Sequence, residues 1–133
     1  MSGLLIFLAF LSSCGSKGYD LNLDIDNYSE KKLALYGYKE GAPVFLDSTI
    51  SDASGHAQFK GMEKMNEGMY FVAFEDRKSA FNIILGKNQV LDIHTSYPEV
   101  RQKLEIKGDE DSKRFAAFQA QVAAKQQEIA GFK

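Results

Sequence analysis

Short segments in which apolar and polar residues alternate recur along most of this chain, and they constrain its fold more than any other feature. The clearest one runs from Tyr19 to Asp26, where Leu21, Leu23 and Ile25 alternate with polar residues. Alternation with a period of two places the apolar side chains on one face of an extended strand. We therefore predict a strand with one face in a core and the other in solvent.

Turn residues separate this segment from seven more strand-like segments. They cover residues 32–39, 44–50, 56–60, 69–74, 80–85, 90–95 and 103–107. Residues 69–74 are apolar on both faces, which is typical of a central strand. Gly55 ends the polar stretch before residue 56 and is free to adopt the positive φ of a tight hairpin. About eight short strands at regular spacing predict a mostly β fold, either an antiparallel sandwich or a partly open barrel.

After residue 108 the apolar residues follow a helical period instead. Residues 108–112 supply an N-cap and acidic side chains that favour a helix start. The apolar stripe that follows consists of Phe115, Phe118, Val122 and Ile129. We therefore predict a C-terminal helix, within residues 109–133, that packs on the sheet through this stripe. The alternative is a protruding arm that pairs with a second copy, as a homodimer, or leads into another domain.

Composition and charge narrow the classes of function. A formal net charge of −2 over 133 residues, without a cluster of Lys or Arg, argues against nucleic-acid binding. The only cysteine, Cys14, leaves no internal disulfide, Cys-x-x-Cys redox pair or cysteine-rich zinc site in this sequence. No motif for a cofactor or a metal appears, so we expect neither.

The beginning of the sequence has the pattern of an export signal. Residues 4–11 are uniformly apolar, and they are far fewer than the ~20 residues that cross a bilayer as a helix. Leu11-Ser12-Ser13-Cys14 follows and resembles the bacterial lipobox. The resemblance implies cleavage before Cys14 and lipid on its thiol and new amino group, which anchors a protein stably. The alternative is a buried N-terminal strand with an inert cysteine.

These features divide the chain into four parts. They are a signal peptide at residues 1–13, a lipid-anchored tether at 14–18, a β-domain at 19–108 and the C-terminal helix at 109–133. Gly15, and not an Asp, would follow the lipidated cysteine. By resemblance to the sorting rule of Gram-negative lipoproteins, this implies no retention in the inner membrane. We therefore expect the chain in the cell envelope, at the periplasmic face of the outer membrane.

Strand and turn residues along the chain resemble those of one family of bacterial domains. The residues that carry the resemblance are Leu46–Asp52, Gly55, Phe59–Gly61, Gly68–Tyr70, Phe81–Gly86 and Leu104–Gly108. The chain is similar there to the β-rich domain of unknown function at the N-terminus of thiol:disulfide interchange lipoproteins of the TlpA/ResA type in Bacteroidetes. In that family, a helical linker leads from this domain to a thioredoxin-like domain with a Cys-x-x-Cys pair.

The resemblance implies a supporting role and no redox chemistry of this chain itself. The sequence has no second cysteine, so it is either a fragment of a longer oxidoreductase or a stand-alone lipoprotein that uses the same domain. In both cases we expect a scaffolding or binding module that holds a thioredoxin-like domain or protein near the membrane. The alternative is a periplasmic or surface lipoprotein that binds a peptide or a glycan.

Four strand aromatics are the candidates for such a binding surface. They are Tyr36, Tyr38, Tyr70 and Phe74. Aromatic side chains form exposed patches that bind ligands, but on a sheet they also fill the core. The sequence alone leaves both assignments open.

No set of residues predicts a catalytic site, so we expect no enzyme activity, with a hydrolase as the remaining alternative. His94 and Asp92 alternate on one strand face and could bind a metal or act as a base, but no third ligand is identifiable. Ser48 and Asp47 point to opposite faces of a strand and cannot pair through their side chains. The acidic face of residues 20–26 extends over roughly 20 Å and cannot converge on one calcium ion.

Overall fold

The computed structural model describes residues 18–130, with side chains described as far as residue 126. Within this range the chain forms eight strands and one helix. The strands are β1 (Tyr19–Asp26), β2 (Lys32–Lys39), β3 (Ala42–Ile50), β4 (His56–Gly61), β5 (Gly68–Phe74), β6 (Ala80–Leu85), β7 (Val90–Ser96) and β8 (Glu105–Lys107). The helix, α1, covers Glu110–Ala130. The alternation of apolar and polar residues therefore located every one of these strands to within two residues.

Two four-stranded sheets pack face to face. The strand order is β4-β1-β7-β8 in the first sheet and β3-β2-β5-β6 in the second. The sheets do not close into a barrel, so the prediction of a mostly β sandwich with a C-terminal helix is confirmed. β5 is a central strand, as its two apolar faces predict. β1 and β7 pair in parallel, with Leu21 opposite Leu91, whereas the other strand pairs within residues 19–107 are antiparallel.

The core lies between the inward faces of the two sheets. Its fully buried members include Leu21, Leu23, Ile25, Leu33, Leu35, Phe59, Val72, Phe81, Ile83, Leu85, Leu91 and Ile93. Burial of one such side chain stabilises the fold by roughly 1.5–3 kcal/mol. The same alternation that forms the core leaves each sheet with one outward face, and the two outward faces differ strongly in chemistry.

The sandwich has two ends, which we distinguish by the position of Gly18. Gly18 and the β2–β3, β4–β5 and β6–β7 loops form the tether end, because the first residue of β1 pairs with Gly61 and the second with Val90. The β1–β2, β3–β4 and β5–β6 loops and residues 97–104 form the far end. The hairpin predicted around residues 51–55 is wrong, because β3 and β4 lie in different sheets and the turn between them crosses from one sheet to the other. Within this turn, Gly55 has the predicted positive φ, of 90°.

Gly18, the first residue that the structure describes, packs against the end of β4. It is buried there, and an added Cβ would lie 1.8 Å from the carbonyl oxygen of Gly61. Only glycine fits such a close approach of two backbones. Gly18 lies four positions after Cys14 in the sequence.

α1 starts at the tether end and covers the free edge of β6. The backbone N–H of Asn82 donates to Gln119 Oε1 over 2.9 Å, and Gln119 Nε2 donates to the carbonyl oxygen of Asn82 over 2.8 Å. Nearer the start of the helix, the Ser112 hydroxyl donates to the carbonyl oxygen of Ile84. These side chains satisfy the edge of β6 as a further strand would, which protects it from pairing with another chain.

The packed face of α1 is not the predicted stripe. Its buried residues are Ser112, Ala116, Gln119 and Ala123. Phe118 is 58% exposed, Phe115 and Val122 are half-buried, and the side chain of Ile129 lies outside the described range. Because α1 lies close enough to bond the backbone of β6, its packed face requires small or hydrogen-bonding side chains. Spacing of apolar residues therefore identified the helix but not its contact face.

Candidate functional site

The predicted lipidation motif cannot be placed in the structure. Leu11, Ser12, Ser13 and Cys14 lie outside the described residues, and so does the alternative of a buried N-terminal strand. Candidate sites are therefore built from residues 18–126.

The structure separates the four candidate aromatics into two pairs. Tyr70 is 8% exposed and Phe74 is 3% exposed, since both lie on the inward face of β5. Both are buried in the core, which is one of the two assignments that the sequence left open, and Tyr70 also lines the groove described below. Tyr36 and Tyr38 lie on the outward face of β2, where Tyr38 is 48% exposed.

Tyr36 and Tyr38 are part of a cluster of four rings, which we call the aromatic face. Its other members are Phe45 of β3 and Phe71 of β5. The rings of Tyr36 and Phe71 stack with 5.0 Å between centroids, and Phe45 meets Tyr36 edge-on at 5.8 Å. Tyr38 lies 5.6 Å from Phe71. Phe45 is 56% exposed, so the cluster presents a broad aromatic surface to solvent.

The aromatic face depends on a β-bulge in β3. Leu35 pairs with Asp47, but Tyr36 pairs with Phe45, so Leu46 is the extra residue of the bulge. An uninterrupted register would place Leu46 opposite Tyr36. Sequence analysis missed Phe45 and Phe71 because only the register of β2 with its two neighbours brings them beside Tyr36.

An open groove of about 740 Å³, lined by both apolar and polar residues, lies at the tether end, next to the aromatic face. Its apolar lining consists of Tyr38, Val44, Leu46, Met65, Met69 and Tyr70. Gly37 makes room for this packing, because a Cβ there would lie 3.1 Å from the Tyr70 ring and 3.2 Å from Leu46. The Tyr70 hydroxyl donates to the carbonyl oxygen of Asn66 and fixes the loop that forms one wall.

The outward face of the first sheet is polar and carries both histidines. Asp24 pairs with His56 of β4 on one side and with His94 of β7 on the other, and His94 pairs with Glu105 of β8. His56 Nε2 lies 3.6 Å from Asp24 Oδ1, and His94 Nε2 lies 3.5 Å from Asp26 Oδ2. Within residues 18–126, no three His, Cys, Asp or Glu side chains converge closely enough to hold a metal ion.

A Ser-His-Asp sequence of contacts occurs at the far end of this face. The Ser54 hydroxyl lies 3.2 Å from His56 Nδ1, on the opposite side of the ring from Asp24. The same hydroxyl donates to Asp52 Oδ1 over 3.0 Å, and Asp52 also accepts the backbone N–H groups of Ser54 and His56. These hydrogen bonds lower the pKa of the Asp52 carboxyl and close the turn between β3 and β4. The arrangement is that of a hydrogen-bonded turn, in which the hydroxyl proton is directed at a carboxylate and not at the imidazole.

The most strongly perturbed carboxylate, Asp76, holds the β5–β6 turn. Burial alone would raise the pKa of this carboxyl, but hydrogen bonds from the backbones of Lys78 and Ser79, the Ser79 hydroxyl and the Tyr97 hydroxyl hold it far below its ordinary value. The bond to Asp76 in turn raises the pKa of Tyr97. Because every donor belongs to the turn or to residues packed on it, this cluster stabilises the fold.

Within the part of the chain that the structure describes, no helix is both long and apolar enough to cross a membrane.

The sequence matches a known domain family. The model of a family described as Domain of unknown function (DUF4369) matches residues 19–115. The match extends from the first residue of β1 into α1, so it covers both sheets, the aromatic face and the start of the helix. No curated protein matches the sequence.

Proposed function

The chain belongs to the DUF4369 family of domains of unknown function, and we propose that it is a non-catalytic module of a lipid-anchored protein of the bacterial cell envelope. In this proposal the signal peptide is removed before Cys14, lipid on Cys14 anchors the protein, and the sandwich acts as a scaffold or binds a partner. The observation that carries the proposal is the position of Cys14. It directly follows Leu11-Ser12-Ser13 and precedes Gly18, which is packed against β4, by four positions.

The spacing supports an anchor rather than an inert cysteine. Four residues span at most about 14 Å when fully extended, so a lipid on Cys14 would hold the sandwich directly at the membrane. Two or three acyl chains at one residue provide more than the two signals that stable anchoring requires. At the periplasmic face of the outer membrane, which Gly15 favours by resemblance to the sorting rule, the domain would face the periplasm.

The resemblance to the N-terminal domain of TlpA/ResA-type lipoproteins supports a scaffolding role beside a thiol:disulfide oxidoreductase. The single cysteine assigns any redox chemistry to a thioredoxin-like domain or to a separate protein. α1 runs from the tether end towards the far end, since Ser112 bonds Ile84 and Gln119 bonds Asn82. A thioredoxin-like domain joined to α1 would therefore lie on the side away from the lipid.

A second candidate function is the binding of a peptide or a glycan at the aromatic face. It is supported by the four rings of this face, whose neighbouring centroids lie less than 6 Å apart. The side chains of Phe45 and Tyr38 are about half exposed. Aromatic rings stack on sugar rings and on apolar side chains with little loss of conformational entropy. The edge of β3 beside Phe45 is the uncovered edge of the second sheet and could pair with an extended peptide.

A homodimer through α1 is the third arrangement that we propose to test. Phe118 is 58% exposed and stacks on Phe115 with 6.4 Å between centroids, which leaves an apolar strip on the outer side of the helix. In this arrangement, light scattering should measure the molar mass of a dimer for the wild type and that of a monomer for Phe118→Ser. An unchanged molar mass would contradict the arrangement.

Membrane fractionation in the native host tests the anchor. We expect the wild-type protein in the membrane fraction, released by detergent and retained in high salt, because acyl chains and not charges hold it. Cys14→Ser should move to the soluble fraction or remain as an uncleaved precursor. Ser13→Ala, which keeps a small residue before the cysteine, should behave as the wild type. Salt-extractable wild-type protein, or a Cys14→Ser variant indistinguishable from it, would refute the anchor.

Arrays of glycans and of peptides test the aromatic face. We expect Phe45→Ser to lose most of the wild-type binding, because it removes the most exposed ring of the cluster. Ile50→Ser is the matched control, since Ile50 is a 60% exposed residue of the same strand and lies outside the cluster. Equal loss in both variants, or binding unchanged by Phe45→Ser, would contradict a ligand at this face.

A further inference from the structure

Exposed large apolar side chains are unevenly distributed over the sandwich. Those in the half nearer Gly18 are Tyr38, Val44, Phe45, Leu46, Met62, Met69 and Val90. Only Ile50, at the end of β3, and Phe118, on the helix, lie elsewhere among the described residues. Single exposed apolar residues need no explanation, but a group at one end of a domain marks an interaction surface.

The far end has the opposite character. Its loops carry closely spaced charged residues, which are Glu30, Lys31, Asp52, Glu75, Asp76, Arg77, Lys78, Glu99, Arg101 and Lys103. Apart from the half-buried Tyr97, the large apolar residues of these loops, Tyr28, Val100 and Leu104, are buried in the core. The two ends therefore face different environments.

The most exposed of these apolar side chains lies directly beside Gly18. Met62 is 91% exposed, and an added Cβ on Gly18 would lie 2.7 Å from the backbone of Met62. Val90, 39% exposed, pairs with Asp20 at the start of β1. The residue that follows the tether is therefore surrounded by exposed apolar side chains.

The loops at this end are held together. Gln89, 2% exposed, accepts the backbone N–H of Met65 over 2.9 Å and donates to the carbonyl oxygens of Met65 and Gly86. Lys64 Nζ donates to the carbonyl oxygen of Lys87 over 2.6 Å. These bonds join the β4–β5 loop to the β6–β7 loop, so Met62 extends from a braced surface.

We propose that the tether end is a lipid-contacting surface, which holds the sandwich upright with Met62 and its apolar neighbours in the headgroup region. The inference rests on the proposed lipid anchor at Cys14, because the four residues from Cys14 to Gly18 keep this end within about 14 Å of the bilayer. When an apolar surface is held that close to lipid, its insertion between headgroups and acyl chains is favourable because it removes apolar area from water.

Charge contributes little to this contact. The strand ends and loops of the tether end carry Lys39, Lys60, Lys64, Lys87 and Lys107, which are balanced by Glu40, Glu63 and Glu67 and by Asp109, Glu110 and Asp111 at the start of α1. The surface therefore fits a lipid interface through apolar insertion, and its charge gives no preference for anionic lipids. In this orientation the far end lies roughly 25 Å from the lipid, the length of an eight-residue strand, and the polar face and α1 remain accessible.

Spin-label accessibility tests the orientation in the lipidated full-length protein. Met62→Cys and Ala53→Cys each add one thiol at an exposed loop position, the first at the tether end and the second in the β3–β4 turn at the far end. The labelled proteins are reconstituted into vesicles of phosphatidylethanolamine and phosphatidylglycerol. We expect the label at position 62 to be several-fold less accessible to a water-soluble nickel chelate, and more accessible to oxygen, than the label at position 53.

The outcomes separate this inference from the anchor on which it rests. Equal, high accessibility to the nickel chelate at both positions in vesicle-bound protein would overturn the lipid-contacting surface and leave the anchor intact. The wild type, which has no other cysteine, should take up no label if its thiol carries lipid. Labelled wild-type protein would overturn the anchor, and the orientation with it.

Discussion

Gln119 makes two of the hydrogen bonds between α1 and β6, beside the one made by Ser112, and its removal has a calculable effect. Gln119→Ala removes two hydrogen bonds, of 2.9 and 2.8 Å, to the backbone of Asn82. Each hydrogen bond contributes about 1 kcal/mol net to stability. The N–H and C=O groups of Asn82 would lose their partners in a partly buried site, which adds a further penalty, so the total loss is roughly 2–3 kcal/mol. The higher helix propensity of alanine offsets only a few tenths of this.

Chemical and thermal unfolding of the full-length protein measure this loss. We expect a fall of about 2 kcal/mol in the free energy of unfolding from urea titration, and a decrease in Tm of roughly 8 °C at about 4 °C per kcal/mol for a domain of this size. The m-value should stay unchanged if the helix remains docked.

Gln121→Ala is the matched control for Gln119→Ala. Gln121 lies two positions further along the same helix, with its side chain exposed. The substitution changes helix propensity equally but breaks no contact with β6, so it should leave the free energy of unfolding within about 0.5 kcal/mol of the wild type. Equal effects of the two substitutions would refute the docking of α1 on the edge of β6.

Three further substitutions test the turns at the far end. Asp76→Asn should lower the free energy of unfolding by about 1–3 kcal/mol at pH 7. Because the pKa of this carboxyl is depressed in the folded state, its contribution to stability is present above about pH 4 and is lost as the pH falls. Urea titrations should therefore show a smaller difference between the variant and the wild type at pH 3 than at pH 7. Tyr28→Phe should cost about 1–3 kcal/mol by urea titration, since the buried Tyr28 hydroxyl donates to the carbonyl oxygen of Lys32 and accepts the N–H of Glu75. Gly55→Ala should lower Tm by several degrees, because alanine disfavours a φ of 90° and its Cβ would lie 2.2 Å from the carbonyl oxygen of Ile25.

Each of these substitutions has a result that would contradict its reasoning. A difference between Asp76→Asn and wild type that grows towards pH 3 would reverse the assigned direction of the pKa. Tyr38→Phe, which changes a 48% exposed tyrosine, is the control for Tyr28→Phe and should be neutral. A Gly55→Ala variant as stable as the wild type would show that the turn between β3 and β4 does not require a positive φ at this position.

The strands could be predicted from the sequence because burial of one face determines the residue pattern along each of them. In β1, Leu21, Leu23 and Ile25 are all buried, and the residues between them are not. The pairing of β1 with β7 could not be predicted, because alternation fixes the face of a residue but not its neighbour on the next strand. The aromatic face could not be predicted for the same reason, since the neighbours of Tyr36 depend on strand register and on the bulge at Leu46.

The helix shows a different limit of sequence reasoning. Phe115, Phe118 and Val122 form the apolar stripe that a helix on a flat sheet would bury. α1 instead packs on a strand edge, where Gln119 satisfies backbone groups and Ala116 and Ala123 permit close approach. The periodicity of apolar residues carries no information on polar contacts, so it does not identify a glutamine that bonds the backbone of an edge strand as a neighbouring strand would.

The central claim, that lipid on Cys14 anchors this module, is tested most directly by the intact mass of the protein extracted from host membranes. The account predicts a chain that begins at Cys14 and carries the added mass of a diacylglyceryl group and an amide-linked acyl chain, both absent from Cys14→Ser. A chain that still contains residues 1–13 and an unmodified Cys14 thiol would contradict it.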